Sequence, residues 1–386
     1  MAFSDKELMT TDYMIQCSRR HCNNLPPGIV TGFEWKDYCP KSFRLIQELE
    51  NIDNDDYMML VCSDETIKQV TSTMKPGNMF LFSNDSRFAI KTLRKSELKV
   101  LLEMLPSYYS HIKRFRSTIL NKLYGAHVVK PAGGTKVYFV VVANIFKSDL
   151  LMHRCYDLKG SLQGRKVEKM RYREKTLHKE SDLDFLFYLE PLVRQRLLKQ
   201  IKYDCAFLEA AGIMNYSLML GLHVKGSHQV LNCSNNVINH LMKHILLHHC
   251  IVDSTSKYST TNIMDIISNT SFSENEASEV SFGDQWLQNN SCKFGEELDA
   301  RGVRISKNGT GTLSCQNFTV IECYDVLLCF GIVDFFQNYN VIKRIEHAYK
   351  SLQFDRKMIA AVNPKIYSSR FQEFISDIFK ADEPLN

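Results

Sequence analysis

No apolar run in this sequence is long enough to cross a bilayer. The longest, VYFVVVANIF (Val137–Phe146), falls far short of the roughly 20 residues a spanning helix needs and reads as a buried strand. Asp5, Lys6 and Glu7 stand where a signal peptide would carry its apolar region, so no signal peptide is expected. The twelve cysteines include no pair at metal-ligand spacing. The closest two, Cys17 and Cys22, have no matching second pair, which predicts reduced, buried thiols in a cytosolic chain. Strong net charge is lacking too: +5 over 386 residues is too weak to argue for nucleic acid. No internal repeat is present.

What is present is a chain that is 44% hydrophobic and 24% charged, enough for one large folded unit or two coupled ones. Its basic residues cluster. Lys91–Lys130 holds nine Lys/Arg against two acids, and Leu151–Glu180 holds nine against four. Such clusters suit phosphate-rich partners, among them an anionic membrane met from its surface, or else are solvated faces.

Residues 1–32 read as an irregular lead-in. Phe43, Ile46 and Leu49 share a helical face, and DDYMMLVC begins a further small helix. GNMFLFSNDSRFAIKTL predicts a hairpin turning at Ser83–Ser86, and Ser96 is the expected cap of a helix that Pro106 ends or kinks. CYDLKGSLQGRK is a short strand leaving into a glycine turn. Asp204–Ala211 reads as a helix stopped by Gly212, and Tyr216–Leu222 as the strand that follows. Residues 224–316, rich in Ser, Asn and Thr, read as a large, mostly irregular insertion. TVIECYDVLLCFGIVDFFQNYN restores order, and a basic segment, a loop and an amphipathic helix close the chain. Strands in meander with helices behind them predict an α+β fold.

Four places could carry chemistry. Lys91, among apolar strand residues in RFAIKTL, must either snorkel or meet an anion. In ATP-dependent kinases such a lysine holds phosphate and pairs with a helix glutamate; Glu97 and Glu103 are equal candidates. In YDLKGS, Asp157 and Lys159 lie two apart and share a strand face, and Gly160 lets backbone approach a ligand; equally, the two charges could be a structural ion pair at a strand end. Asn215, in AGIMNYSLMLGLH, occupies a loop between helix and strand, where a carboxylate would be the ordinary catalytic group. Asp334, in FGIVDFFQ, needs a cation, a helix cap or a salt bridge to be tolerated among apolar neighbours. Their order matches a phosphoryl-transfer enzyme.

The segments YDLKGSLQGR, GIMNYSLMLGLH, YDVLLCFGIVDFFQNYN, KRIEHAYKSLQ and NPKIYSSRFQEFI, with FEWKDYCP and VLLEMLPSYYSHI, occur in one order. In them the chain resembles the phosphatidylinositol phosphate kinases, most closely the compact plant-type phosphatidylinositol-4-phosphate 5-kinases. The resemblance covers about residues 33–222 and 319–380. It implies a two-lobed lipid-kinase fold, distantly protein-kinase-like, with antiparallel sheets and flanking helices. The catalytic domain would span 33–380, with an N-lobe at about 33–150, a C-lobe at about 151–380 and an activation loop at about 338–364. It assigns Lys91, Asp157, Lys159, Asn215 and Asp334 to catalysis. Lys91 and Lys159 would bind ATP and Asp334 would bind Mg2+, while Lys343, Arg344 and Glu346 would select the lipid. The implied substrate is phosphatidylinositol 4-phosphate, phosphorylated at the 5-hydroxyl. The implied partners are anionic membrane lipids and no nucleic acid, with a homodimer or pairing with active relatives as the assembly. The implied location is cytoplasmic, peripheral on the cytosolic face of membranes.

Three residues depart from the family pattern. Asn215 replaces an aspartate, Gly77 stands where more glycine is usual, and Asn340 replaces a frequent acid. A slow enzyme is the expectation, and the competing one is a dead kinase that serves as a phosphoinositide- and membrane-binding regulatory module. Protein phosphorylation is disfavoured, since neither HRD nor DFG occurs. One isolated feature is His240, His244 and His248, spaced along one helical face, where two histidines could hold zinc or simply face solvent.

Overall fold

Among the described residues, two sheets form, and the buried runs of the strands Leu123–Pro131 and Val137–Ala143 lie at the centre of the first. The computed structural model describes residues 13–17, 32–62, 67–70, 80–83, 86–146, 150–160, 170–172, 175–231, 297–307, 319–340 and 362–382. All of them belong to one compact unit. β1 (Tyr13–Cys17), β2 (Phe33–Tyr38), β3 (Ile67–Val70), β4 (Phe80–Ser83), β5 (Phe88–Leu93), β6 (Leu123–Pro131) and β7 (Val137–Ala143) form an antiparallel sheet in the order β1-β2-β6-β7-β5-β4-β3. Three helices accompany it: α1 (Pro40–Leu49), α2 (Asn54–Cys62) and α3 (Lys95–Arg114).

The second sheet contains β8 (Arg154–Leu158), β9 (Met170–Tyr172), β10 (Lys175–His178), β11 (Phe185–Leu189), β12 (Ser217–Leu231), β13 (Leu298–Lys307), β14 (Thr319–Val333) and β15 (Phe379–Ala381). Their order is β15-β11-β13-β14-β12-β8-β10-β9. The β10–β8 and β11–β15 pairs are parallel and the others antiparallel. Helices α4 (Pro191–Ala210) and α5 (Pro364–Ile378) complete it. The expected α+β class is what forms.

Several local expectations change. The lead-in of residues 1–32 contains β1, paired with β2 from Tyr13↔Asp37 to Cys17↔Phe33. The stretch 224–316 is not wholly irregular: β12 runs on to Leu231, and β13 lies inside it, paired over ten positions with β14. Ser96 does not cap α3; the Glu97 carboxylate accepts from Arg94 N at 2.8 Å. Nor does Pro106 end that helix, which runs eight residues further. An interior proline costs about 3 kcal/mol. Leu101, Met104, Leu105, Tyr108 and Ile112 are all buried on α3, and each such side chain returns roughly 1.5–3 kcal/mol on burial. Burial wins.

The two sheets are stitched together by the segment between α3 and β6. Asn121 N donates to Ile332 O at 2.9 Å and Ile332 N to Ile119 O at 2.8 Å. Behind this seam, Asp204 on α4 has no solvent exposure. It accepts from His111 Nε2 (2.7 Å), Thr118 Oγ1 (2.7 Å), Gln200 Nε2 (2.9 Å) and Ile119 N (3.0 Å). One carboxylate thus ties α3, the connecting segment and α4. Asp204→Ala would strand several buried donors and is expected to lower the unfolding free energy by about 3 kcal/mol or more. Urea denaturation checks this, and a loss below about 1 kcal/mol would mean that water replaces the carboxylate at no cost.

No helix among the described residues is long and apolar enough to cross a membrane. Cys39, Cys155, Cys205, Cys323 and Cys329 are buried thiols.

Candidate functional site

A cleft between the sheets gathers residues from both. It encloses about 590 Å3 of space, part of it open to solvent. Lys91, Asp157 and Asp334 supply its charge, and Phe80, Leu123, Val142, Leu177, Met219, Val333, Phe335 and Phe336 an apolar wall.

The β4–β5 hairpin places Lys91 opposite Phe80, and β7 places Val140 on its other side. The alternating pattern of β5 turns the lysine inward, and its side chain is only 11% exposed. Lys91 does meet an anion: its Nζ donates to Asp334 Oδ1. The ammonium also lies 5.5 Å from the Phe80 ring centre and 5.4 Å from that of Phe336, a favourable cation–π setting. The expected helix glutamate is therefore not the partner. Glu97 caps α3, and Glu103 pairs with Lys99 at 3.7 Å.

Asp334 follows directly on β14, and its side chain is 44% exposed to the cleft. Burial by the surrounding walls would push its carboxyl up. The charges of Lys91 and Lys159, with the hydrogen bond from Lys91, outweigh that and hold it below the ordinary aspartate value. Its backbone lies in the left-handed region, φ 63°, and Asn215 has φ 64°. Non-glycine residues held there cost on the order of 1–3 kcal/mol each, and both fall at this site.

Asp157 sits near the end of β8, paired with Met219. Lys159 lies just beyond the strand rather than on its face. Its backbone N donates to the buried Glu180, and its Nζ donates to Asn215 O at 3.0 Å and to Asn215 Oδ1 at 3.3 Å. Gly160 has φ 65°, and a Cβ there would meet Phe374 at 3.1 Å, so the turn accepts only glycine without displacement. Gly212, φ 69°, ends α4 as its spacing predicts.

The loop carrying Asn215 is held from two sides. Met214 N donates to Gln337 O at 2.9 Å and Tyr339 N to Gly212 O at 3.0 Å, zipping it to the segment after Asp334. Tyr367 of α5 donates its hydroxyl to Tyr216 O. The Tyr216 ring packs edge-on against Tyr367 and Phe371, with centres 4.7 and 5.0 Å away. Gln337, Glu180, Phe80, Phe336 and Tyr367 were not singled out from the sequence. Of these, Phe336 and Gln337 have a local signal, their place two and three residues after Asp334.

Thus Lys91, Asp157 and Asp334 share one pocket. Lys159 and Asn215 bond to each other beside it, with the Lys159 charge reaching Asp334. Lys343, Arg344 and Glu346 lie outside the described residues, as do Gly77 and the three histidines at 240, 244 and 248.

A divalent cation such as Mg2+ requires hard oxygen ligands. Among the described residues, no three His, Cys, Asp or Glu converge on one point. A cation here would rest on one or two carboxylates, with phosphate oxygens and water completing its shell. That is the coordination Mg2+ favours, and Asp334 and Asp157 provide hard oxygens for it. The residues fit the group.

The family model described as Phosphatidylinositol-4-phosphate 5-Kinase matches residues 61–378. The chain is 47% identical to Phosphatidylinositol 4-phosphate 5-kinase 10 of Arabidopsis thaliana, over 96% of this chain and 95% of that protein. It is 38% identical to Phosphatidylinositol 4-phosphate 5-kinase 9 of the same plant, over 92% of this chain and 45% of that longer protein. With a family match over most of its length and a near full-length relative at this identity, the chain belongs to the phosphatidylinositol-4-phosphate 5-kinase family.

Proposed function

We propose that this protein transfers the γ-phosphoryl group of ATP to the 5-hydroxyl of phosphatidylinositol 4-phosphate at the membrane surface, giving phosphatidylinositol 4,5-bisphosphate. The observation that carries this reading is the meeting of Lys91, Asp157 and Asp334 in one cleft with an apolar wall. The apolar side chains suit a flat adenine ring, and the charged end suits a triphosphate. Such a transfer runs through a loose transition state, so positioning and charge neutralisation do most of the work. Lys91 and Lys159 hold the phosphates, and Asp334, helped by Asp157, holds the cation. Mg2+ held by these carboxylates would neutralise the charge that develops during the transfer. Asn215 Oδ1 accepts a hydrogen bond from the attacking hydroxyl and orients it; as the new O–P bond forms and the bond to ADP breaks, the hydroxyl proton passes to the transferred phosphoryl group and on to water. Lys343, Arg344 and Glu346 select the headgroup, and the basic residues around them hold the enzyme to anionic lipid, each contributing on the order of 1 kcal/mol.

Radiolabelled ATP supplied with vesicles of phosphatidylinositol 4-phosphate tests this. Label is expected in the lipid, at the 5-position, in the presence of Mg2+. Label in added protein but not in lipid would reject the substrate.

One observation favours a second reading. With an amide at position 215, the cleft lacks the carboxylate that the family pattern places there, and a non-catalytic phosphoinositide-binding module would need none. Vesicle binding without any turnover would select that reading.

A further inference from the structure

We propose that Gln337 is a positioning residue: its side-chain carbonyl holds the Asn215 amide so that Oδ1 points to Lys159 and the cleft. The inference rests on the kinase reading and deepens it.

Hydrogen-bond polarity carries the proposal. A lysine ammonium can only donate. Lys159 Nζ lies 3.3 Å from one terminal atom of the Asn215 amide, so that atom must be the oxygen. The NH2 group then faces Gln337, where Asn215 Nδ2 donates to Gln337 Oε1 at 2.8 Å. The polarity therefore runs in one direction, from Lys159 to Asn215 to Gln337. Two restraints act on one amide, a donor on its oxygen and an acceptor on its nitrogen. Bonds to backbone carbonyls flank the pair: Met214 N to Gln337 O at 2.9 Å, and the Lys159 side chain, through Nζ, to Asn215 O at 3.0 Å. Without an acceptor at 337, the amide turns over more freely and its oxygen leaves the cleft for part of the time.

The same geometry makes Gln337 adaptable. Rotating its own amide by a half turn presents NH2 instead of oxygen. It then donates to a carboxylate at position 215 as readily as it accepts from the amide present. Gln337 thus supports either residue, whereas a carboxylate at 337 supports only the amide.

A double-mutant cycle tests this, with Gln337→Leu and Gln337→Glu in the Asn215 parent and in Asn215→Asp. In the parent, Gln337→Leu is expected to lower kcat about tenfold, the loss of one neutral hydrogen bond. Nucleotide KM should change little, and Gln337→Glu, which keeps the acceptor, should cost about threefold at most. In Asn215→Asp the order reverses, and Gln337→Glu becomes the worse variant because two carboxylates then face each other. A second readout needs no turnover. The pair raises a carboxyl pKa in the folded state above the unfolded value of about 4.3. The folded double variant therefore binds more protons than the unfolded chain. Its Tm, measured against Asn215→Asp alone, must fall between about pH 5 and about pH 8. Equal losses from Gln337→Glu in both backgrounds, with parallel Tm profiles, would overturn the proposal. Absence of phosphoryl transfer in the parent and every variant would instead reject the kinase reading, and the Tm comparison alone would then decide the role of Gln337.

Discussion

Asp334→Asn is expected to abolish lipid phosphorylation yet tighten the binding of ATP in the absence of metal. The two effects have one source. In the cleft, the Lys91 ammonium is bonded to Asp334 and the Asp334 carboxyl is held in its ionised form. A nucleotide arriving without a cation meets a lysine already engaged and a negative charge beside it. Removing that charge frees Lys91 for phosphate and ends the repulsion. At 4 Å a unit-charge interaction is worth about 1 kcal/mol in water and about 4 kcal/mol near a protein surface, so affinity in EDTA should rise at least about fivefold. With Mg2+ present the sign reverses. The carboxylate that anchors the cation is gone, and loss of such electrostatic stabilisation costs about 10²–10³ in kcat or more. Calorimetry of ATP with and without Mg2+, alongside the vesicle assay, reads both arms. Weaker metal-free binding in Asp334→Asn would mean that Lys91 does not engage phosphate.

Asn215→Asp is expected to raise turnover about 10²-fold, at the lower end of what a positioned general base contributes. The backbone already has the left-handed geometry, φ 64°, which aspartate tolerates about as well as asparagine. Lys159 at 3.3 Å would hold the new carboxylate ionised and fixed. That proximity also lowers its basicity, which keeps the gain at the low end. The side chain would accept the proton of the 5-hydroxyl as the phosphoryl group moves, where the amide can only align it. Initial rates on phosphatidylinositol 4-phosphate vesicles decide the matter. Turnover unchanged by the substitution would show that the reaction here needs no base at position 215. Turnover appearing only in the variant would mark the parent as a kinase silenced by one amide.

Much of the scaffold is legible in the sequence. The hairpin around Ser83–Ser86 forms with Phe80 opposite Lys91, because turn formers between aromatic strands leave few alternatives. Gly212 ends α4 because that position requires positive φ. The failures have physical causes. Ser96 lost the capping role to Glu97, since both are good local partners for backbone N–H groups. Of the two readings of Pro106, ending or kinking α3, the first does not hold, because five buried side chains outweigh one missing hydrogen bond. β13 was hidden in a polar stretch whose neighbour, β14, lies along the chain beyond residues that carry no strand pattern.

By itself, the order of residues marked the candidates for phosphoryl transfer: Lys91, Asp157, Lys159 and Asp334, with an amide at 215. Family membership followed from the same letters. Only the tertiary structure decided whom each one touches. Lys91 pairs with an acid 243 positions away rather than with a glutamate on the next helix, and the Asn215 amide is held between Lys159 and Gln337. Period, caps and turns are local and are written within a few residues. The choice of an ionic or hydrogen-bond partner depends on which surfaces are brought together by packing, and no local pattern records it.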